Sequence, residues 1–176
     1  MEENLSNKYI EVLQLENRRK IYDLVRKNPG CHFREIERKI KIPHGTLRYN
    51  LNFLARHNIL IEKKDKNNIR YFTKNIDSED SNLISLLRQN SIRKILLFFL
   101  MNKNPKHKDI VDFVKLSPST VSWHLTNLAR KNIIEKTKTG YNLIIDKNNI
   151  LKLLITYKES FLDSLVNRTI EMWGVD

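Results

Sequence analysis

One constraint dominates this sequence: it repeats itself. A shift of 74 residues superposes an early segment on a later one without a gap, which marks two copies of one supersecondary unit. Arg19-Lys20-Ile21 falls on Arg93-Lys94-Ile95, Asn28 on Asn102, Ile36 on Ile110, Lys41 on Lys115 and Thr46 on Thr120. Further along, Leu51 meets Leu125, Leu54-Ala55-Arg56 meets Leu128-Ala129-Arg130, and Asn58-Ile59 meets Asn132-Ile133. The matches are mostly core positions and helix ends, so what recurs is a scaffold. Outward positions differ, His44, Arg48, Tyr49 and Asn52 standing against Pro118, Ser122, Trp123 and Thr126. The two copies are therefore expected to make different contacts.

The second copy shows the unit most clearly. Ser117 offers an N-cap hydroxyl, Pro118 suits the first helical position, and Val121, Leu125 and Leu128 recur at the spacing of one buried stripe. The opposite face carries Ser119, Ser122, Trp123 and Thr126, with no acidic residue among them. Such a face can approach an anionic polymer closely. Asn132 breaks the helix, and a hairpin follows from Ile134 to Lys138, through Thr139-Gly140, to Tyr141–Ile145. Together these read as the recognition helix and wing of a winged helix-turn-helix.

The first copy repeats the order. A helical lead-in over residues 1–15 precedes a helix from Asn17 to Lys27 with Ile21, Leu24 and Val25 inward, stopped at Asn28-Pro29-Gly30. A second helix, His32 to Ile40, turns inward Phe33, Ile36 and Ile40. After Ile42-Pro43-His44-Gly45 a third runs to His57, burying Leu47, Leu51, Leu54 and Ala55. Ile59-Leu60-Ile61 and Ile69-Arg70-Tyr71-Phe72 then bracket a wing with a charged tip.

The fold class expected is mainly α with small β-hairpins: two tandem winged helix-turn-helix domains plus a C-terminal amphipathic helix. Residues 1–76 form the first domain with its lead-in and 91–146 the second. Between them, 77–90 reads as a helical linker, N-capped at Ser78-Glu79-Asp80. In 147–176 a helix reaching nearly to Trp173 carries Ile150, Leu154, Tyr157, Phe161, Leu165 and Met172 close to one seam, for dimerisation or packing.

Charge supports a polyanion partner. The net charge is +12, of which +8 lies in residues 1–76 and +4 in the remainder, while residues 147–176 are neutral. Cys31 is the one cysteine, so no internal disulfide forms, which fits a reducing cytoplasm. The acidic N-terminus has no apolar signal-peptide core, and the longest apolar run, Ile95–Met101, is too short to span a bilayer. No phosphate loop, nucleophile elbow or carboxylate pair marks an enzyme, and no cofactor is implied. Cys31 and the histidines do not form close ligand pairs, so no metal site is assigned. His32 reads instead as a cap and His124 as a partly buried helix residue.

The segments Asn28-Pro29-Gly30-Cys31-His32-Phe33-Arg34-Glu35-Ile36, Gly45-Thr46-Leu47-Arg48-Tyr49-Asn50-Leu51, Ser117-Pro118-Ser119-Thr120-Val121-Ser122-Trp123-His124-Leu125 and Tyr157-Lys158-Glu159-Ser160-Phe161-Leu162-Asp163 carry a resemblance. On them, and over nearly the whole chain after residue 15, the protein resembles archaeal tandem winged-helix transcription regulators of the ArsR-like kind. That resemblance implies sequence-specific binding of double-stranded DNA and a homodimer formed through helices outside the winged cores. Metal-sensing relatives use Cys and His clusters that are not found here.

The expected DNA contacts in the first copy are His44, Gly45, Thr46, Arg48, Tyr49 and Asn52 on the helix, with Lys63, Lys64, Lys66 and Arg70 on the wing. Arg48 suits guanine, Asn52 adenine and Tyr49 a phosphate. In the second copy Ser117, Ser119, Thr120, Ser122, Trp123 and Thr126 lie on the helix, and Lys136 and Lys138 on the wing. Lysines on a wing neutralise phosphates without reading sequence. A winged-helix protein-interaction or non-specific DNA-binding module in a transcription or chromosome assembly is the competing reading.

Overall fold

The structure, a computed structural model, describes residues 12–65 and 68–161. It is mainly helical with small antiparallel sheets, and the chain divides into two compact units, Met1–Ser85 and Leu86–Asp176. Residues 1–11 of the expected lead-in helix and residues 162–176 of the expected C-terminal helix lie outside the described residues.

In the first unit, α1 (Glu16–Lys27) buries Ile21 and Val25. It ends where the Asn28 side-chain amide donates to the Leu24 carbonyl at 3.1 Å. Gly30 then takes φ 74°, a left-handed conformation that glycine adopts without steric cost, and its N–H donates to the Tyr71 carbonyl at 2.8 Å. A short strand β1 (Cys31–His32) follows, then α2 (Phe33–Lys39), capped by His32, whose Nδ1 accepts from the Glu35 amide at 3.2 Å. The recognition-helix position is α3 (His44–Arg56), and the wing is β2 (Leu60–Asp65) paired with β3 (Asn68–Thr73). The sheet order is β1-β3-β2, so the wing is anchored by a third strand as well as its own hairpin. Beneath lies one core of Ile21, Val25, Ile36, Leu47, Leu51, Leu54 and neighbours.

The second unit repeats this plan in its own residues. After α4 (Ser78–Leu87) come α5 (Asn90–Met101), α6 (His107–Val114), α7 (Pro118–Arg130), and the hairpin β4 (Ile134–Lys136) with β5 (Tyr141–Leu143). Both ends of α5 match those of α1 at the 74-residue offset, and both ends of α7 match those of α3. The Asn102 amide donates to the Phe98 carbonyl at 3.0 Å, as Asn28 does to Leu24. Each recognition helix also ends alike. Asn58 donates to Ala55 at 3.0 Å and Ile59 to Leu54 at 2.9 Å, while Asn132 donates to Ala129 and Ile133 to Leu128, each at 3.0 Å. With Asn58 at φ 55° and Asn132 at φ 54°, these are two Schellman motifs that turn the chain from helix into wing.

Three expectations shift. The cap of α4 is Asp77, whose Oδ1 accepts from the Asp80 amide at 2.7 Å, one residue before the predicted Ser78. The boundary between the compact units falls inside α4. The single long C-terminal helix is interrupted at Tyr157, giving α8 (Lys147–Thr156) and α9 (Lys158–Phe161) within the described residues.

Candidate nucleic-acid interface

In the first unit, α3 turns Leu47, Asn50, Leu51 and Leu54 inward and leaves His44, Gly45, Thr46, Arg48, Tyr49 and Asn52 exposed. Tyr49 is 63% exposed. Gly45 has no packing reason inside the protein, since a Cβ there would meet nothing within 4 Å. Pro43, which precedes the first turn of α3, makes no side-chain hydrogen bond to it. Asn50, in contrast, is a buried scaffold residue: its amide donates to the Thr46 carbonyl at 2.7 Å, and its oxygen accepts from Arg18 at 3.3 Å.

A cleft of about 500 Å³ separates this helix from the wing, lined among others by Arg34, Glu37, His44, Arg48, Asn52 and Glu62. Its charge is mixed. Glu37 Oε1 lies 2.6 Å from His44 Nδ1, and His44 Nε2 lies 3.1 Å from Arg48 Nη2. Tyr71, at the cleft floor, is 4% exposed, and burial, assisted by the Glu62 carboxylate, pushes its phenol up to about 12.

The second unit builds the face differently. Ser117 Oγ accepts from the Thr120 amide at 3.2 Å, capping α7, and also lies 3.0 Å from Ser119 Oγ and 2.8 Å from Thr120 Oγ1. Ser122, Trp123 and Thr126 are exposed, Trp123 by 50%, with its indole edge-on to the buried His124 ring at 5.0 Å. Thr126 Oγ1 donates to the Ser122 carbonyl at 2.9 Å. The cleft beside α7 is lined among others by Lys106, His107, Ser122, Lys136, Lys138 and Thr139, and none of its lining residues is acidic. Gly140 is fixed by its surroundings, since a Cβ there would lie 2.5 Å from the Pro105 carbonyl oxygen. Thr137 Oγ1 donates to Asn104 Oδ1 at 2.9 Å, so this shorter wing is tied to the loop before α6.

Several expected contacts prove to be occupied within the protein. Arg70 is buried: its Nε donates to Asp65 Oδ2 at 2.7 Å and its Nη1 to the Gly30 carbonyl at 2.8 Å. It ties the wing to the α1–β1 turn and is not a surface cation. Lys63 folds onto α4, donating to the Ser78 carbonyl and Asn82 Oδ1, each at 3.2 Å, and to Ser81 Oγ. Lys64, Lys136 and Lys138 are exposed, whereas Lys66 lies outside the described residues. On the expected dimer seam, Ile150, Leu154 and Phe161 are buried within this chain, so they serve as its core, and Tyr157 is half-buried. Leu165 and Met172 lie outside the described residues.

Sequence reasoning missed Glu37, Lys106 and His107. For Lys106 and His107 the signal was available in the register of the repeat, which sets the start of α6 beside its recognition helix as it does the start of α2. Among the described residues no cluster of three His, Cys, Asp or Glu side chains could hold a metal, and no helix is long and apolar enough to cross a membrane.

Comparison with known proteins matches residues 15–84 to a model described as an N-terminal HTH domain, and residues 90–136 to one described as a bacterial regulatory protein of the arsR family. An archaeal relative, named as an uncharacterized HTH-type transcriptional regulator of Methanocaldococcus jannaschii, is 31% identical over 144 residues, 81% of this chain. The match spans 36% of that relative's length. The chain thus carries two helix-turn-helix domains of one plan in tandem, the first matching an N-terminal HTH domain and the second the arsR family of regulatory proteins.

Proposed function

We propose that this protein is a non-enzymatic regulator that binds double-stranded DNA sequence-specifically. It lays α3 and α7 into major grooves and sets its wings on the backbone. The observation that carries this reading is the exposed, hydrogen-bonding outer face of both recognition helices, free of acidic side chains at every position from His44 to Asn52 and from Ser117 to Thr126. Such faces fit a groove that displays donors and acceptors on base edges. Arg48 and Asn52 are the bidentate readers of the first unit. Ser119, Ser122 and Thr126 supply short contacts in the second, with Trp123 against a thymine methyl or a sugar.

The basic, acid-free cleft of the second unit makes Lys106, Lys136 and Lys138 its phosphate contacts, joined by Lys64 on the first wing. In vitro selection from random duplexes, followed by titration of the enriched sequence across salt concentrations, tests this. Changing Lys106, Lys136 and Lys138 together to Ala should weaken binding to all duplexes and flatten the salt slope by about 0.9 for each phosphate no longer neutralised. A pool without enrichment, or an unchanged slope, would overturn the reading in its respective part.

The homodimer of this reading draws on surfaces other than Ile150, Leu154 and Phe161, which are buried within the chain. The exposed rings of Tyr49 and Trp123 favour a second reading, docking to transcription machinery, because large exposed aromatics are typical interface anchors. A stable protein partner combined with unselective, salt-sensitive DNA binding would support that reading over the first.

A further inference from the structure

Glu37 places a carboxylate on the face where phosphates are to be repelled least, and the repeat shows that the scaffold does not require it. Its equivalent in α6 is Val111, on a helix of the same position and role. The equivalents of Phe33, His44 and Arg48 are His107, Pro118 and Ser122. In both units the first residue of the second helix meets the recognition helix. His107 Nε2 lies 2.8 Å from Ser122 Oγ, while the Arg48 guanidinium lies 5.7 Å from the Phe33 ring centroid. Only the first unit adds an acid to this contact.

The hydrogen bonds fix the chemistry. A guanidinium has donors and no acceptor, so His44 Nε2 must accept from Arg48, which leaves the proton on Nδ1 to be donated to Glu37 Oε1. This pattern of hydrogen bonds places the His44 donor on Nδ1, and Phe33 lies edge-on to the ring at 4.8 Å. Two i, i+4 pairs, Phe33 with Glu37 on α2 and His44 with Arg48 on α3, interlock across the helix-turn-helix.

We propose that Glu37 is a positioning residue: acting through His44, it holds the Arg48 guanidinium in one orientation, so that Arg48 reads a guanine edge and does not settle on whichever phosphate is nearest. This rests on the DNA-binding reading above. A flexible cation at the same place would give affinity with little discrimination, because a bidentate contact needs a fixed fork. The carboxylate gives up some general attraction to the backbone and gains selectivity.

The test compares the full chain with Glu37→Ala and with Glu37→Gln, which keeps an acceptor for His44 while removing the charge. Binding is measured to the selected duplex and to one with the preferred guanine replaced. Glu37→Ala should bind the replaced duplex as well as or better than the parent does, and should lose about tenfold in discrimination. Glu37→Gln should retain that discrimination. Independently of DNA, ring nitrogen shifts should report the Nδ1–H form of His44 in the parent and in Glu37→Gln, and mainly the Nε2–H form in Glu37→Ala. Equal changes on both duplexes, or a His44 ring indifferent to Glu37→Ala, would overturn the inference while leaving DNA binding intact. A parent protein with no sequence preference would overturn the proposed function, and this inference with it.

Discussion

Arg70 shows how far a single side chain can depart from what its position suggests. On a wing among lysines it reads as a phosphate contact, yet its guanidinium is enclosed by Asp65 and the Gly30 carbonyl. Removing it leaves a partly buried carboxylate and a buried carbonyl without their donor. Arg70→Ala should therefore destabilise the first unit by about 2 kcal/mol, read as a lowered urea midpoint. An unchanged midpoint would show that the pair contributes nothing. Tyr71, facing β1 across the same sheet, makes a pH prediction. Its phenol ionises near 12 when folded against 10 for the free group, so the unfolded chain gives up its proton first as pH rises. The stabilising effect is whole below pH 10 and is lost between about 10 and 12. Urea midpoints measured from pH 8 to 11 should fall less steeply in Tyr71→Phe than in the parent; parallel curves would contradict the assignment.

At the scale of elements, the two Schellman motifs decide where each wing begins. Asn58 and Asn132 both sit in the left-handed region, which a β-branched residue enters only with strain. Asn58→Val and Asn132→Val should each cost about 1–2 kcal/mol, whereas glycine at either position should be close to neutral. Thermal unfolding of the four variants checks this, and equal losses for valine and glycine would assign the cost to the asparagine side chains instead. Helix identity and order were legible because apolar residues recur at 3.6-residue spacing and turn residues punctuate them, as at Asn28-Pro29-Gly30 and Ser117-Pro118. Strand β1 was not legible. Two residues carry no period, and their pairing depends on where β3 passes. The break at Tyr157 was equally hidden, because Ile150, Leu154 and Phe161 continue a helical spacing that says nothing of backbone geometry between them.

For the whole molecule, the repeat carries most of the account. It gave the number of units and the equivalence of α3 with α7 directly from the residues. It could not distinguish a lysine offered to solvent from one folded back, and Lys63, donating to α4, is the case in point. It also left Glu37 unnoticed, because an acid on a short helix reads as an ordinary solvated charge until its distance to His44 is known. The charge of residues 1–76, +8 against +4 for the remainder, suggested the first copy as the stronger electrostatic binder. The clefts reverse that emphasis, with carboxylates beside α3 and none beside α7. The molecule is thus read as one unit suited to base recognition and another suited to backbone attraction. The most direct test is to follow backbone amide resonances of the full chain while adding the selected duplex. The account predicts that shifts gather on the exposed faces of α3 and α7 and on both wings; shifts confined to one unit, or lying elsewhere while α3 and α7 stay unmoved, would contradict it.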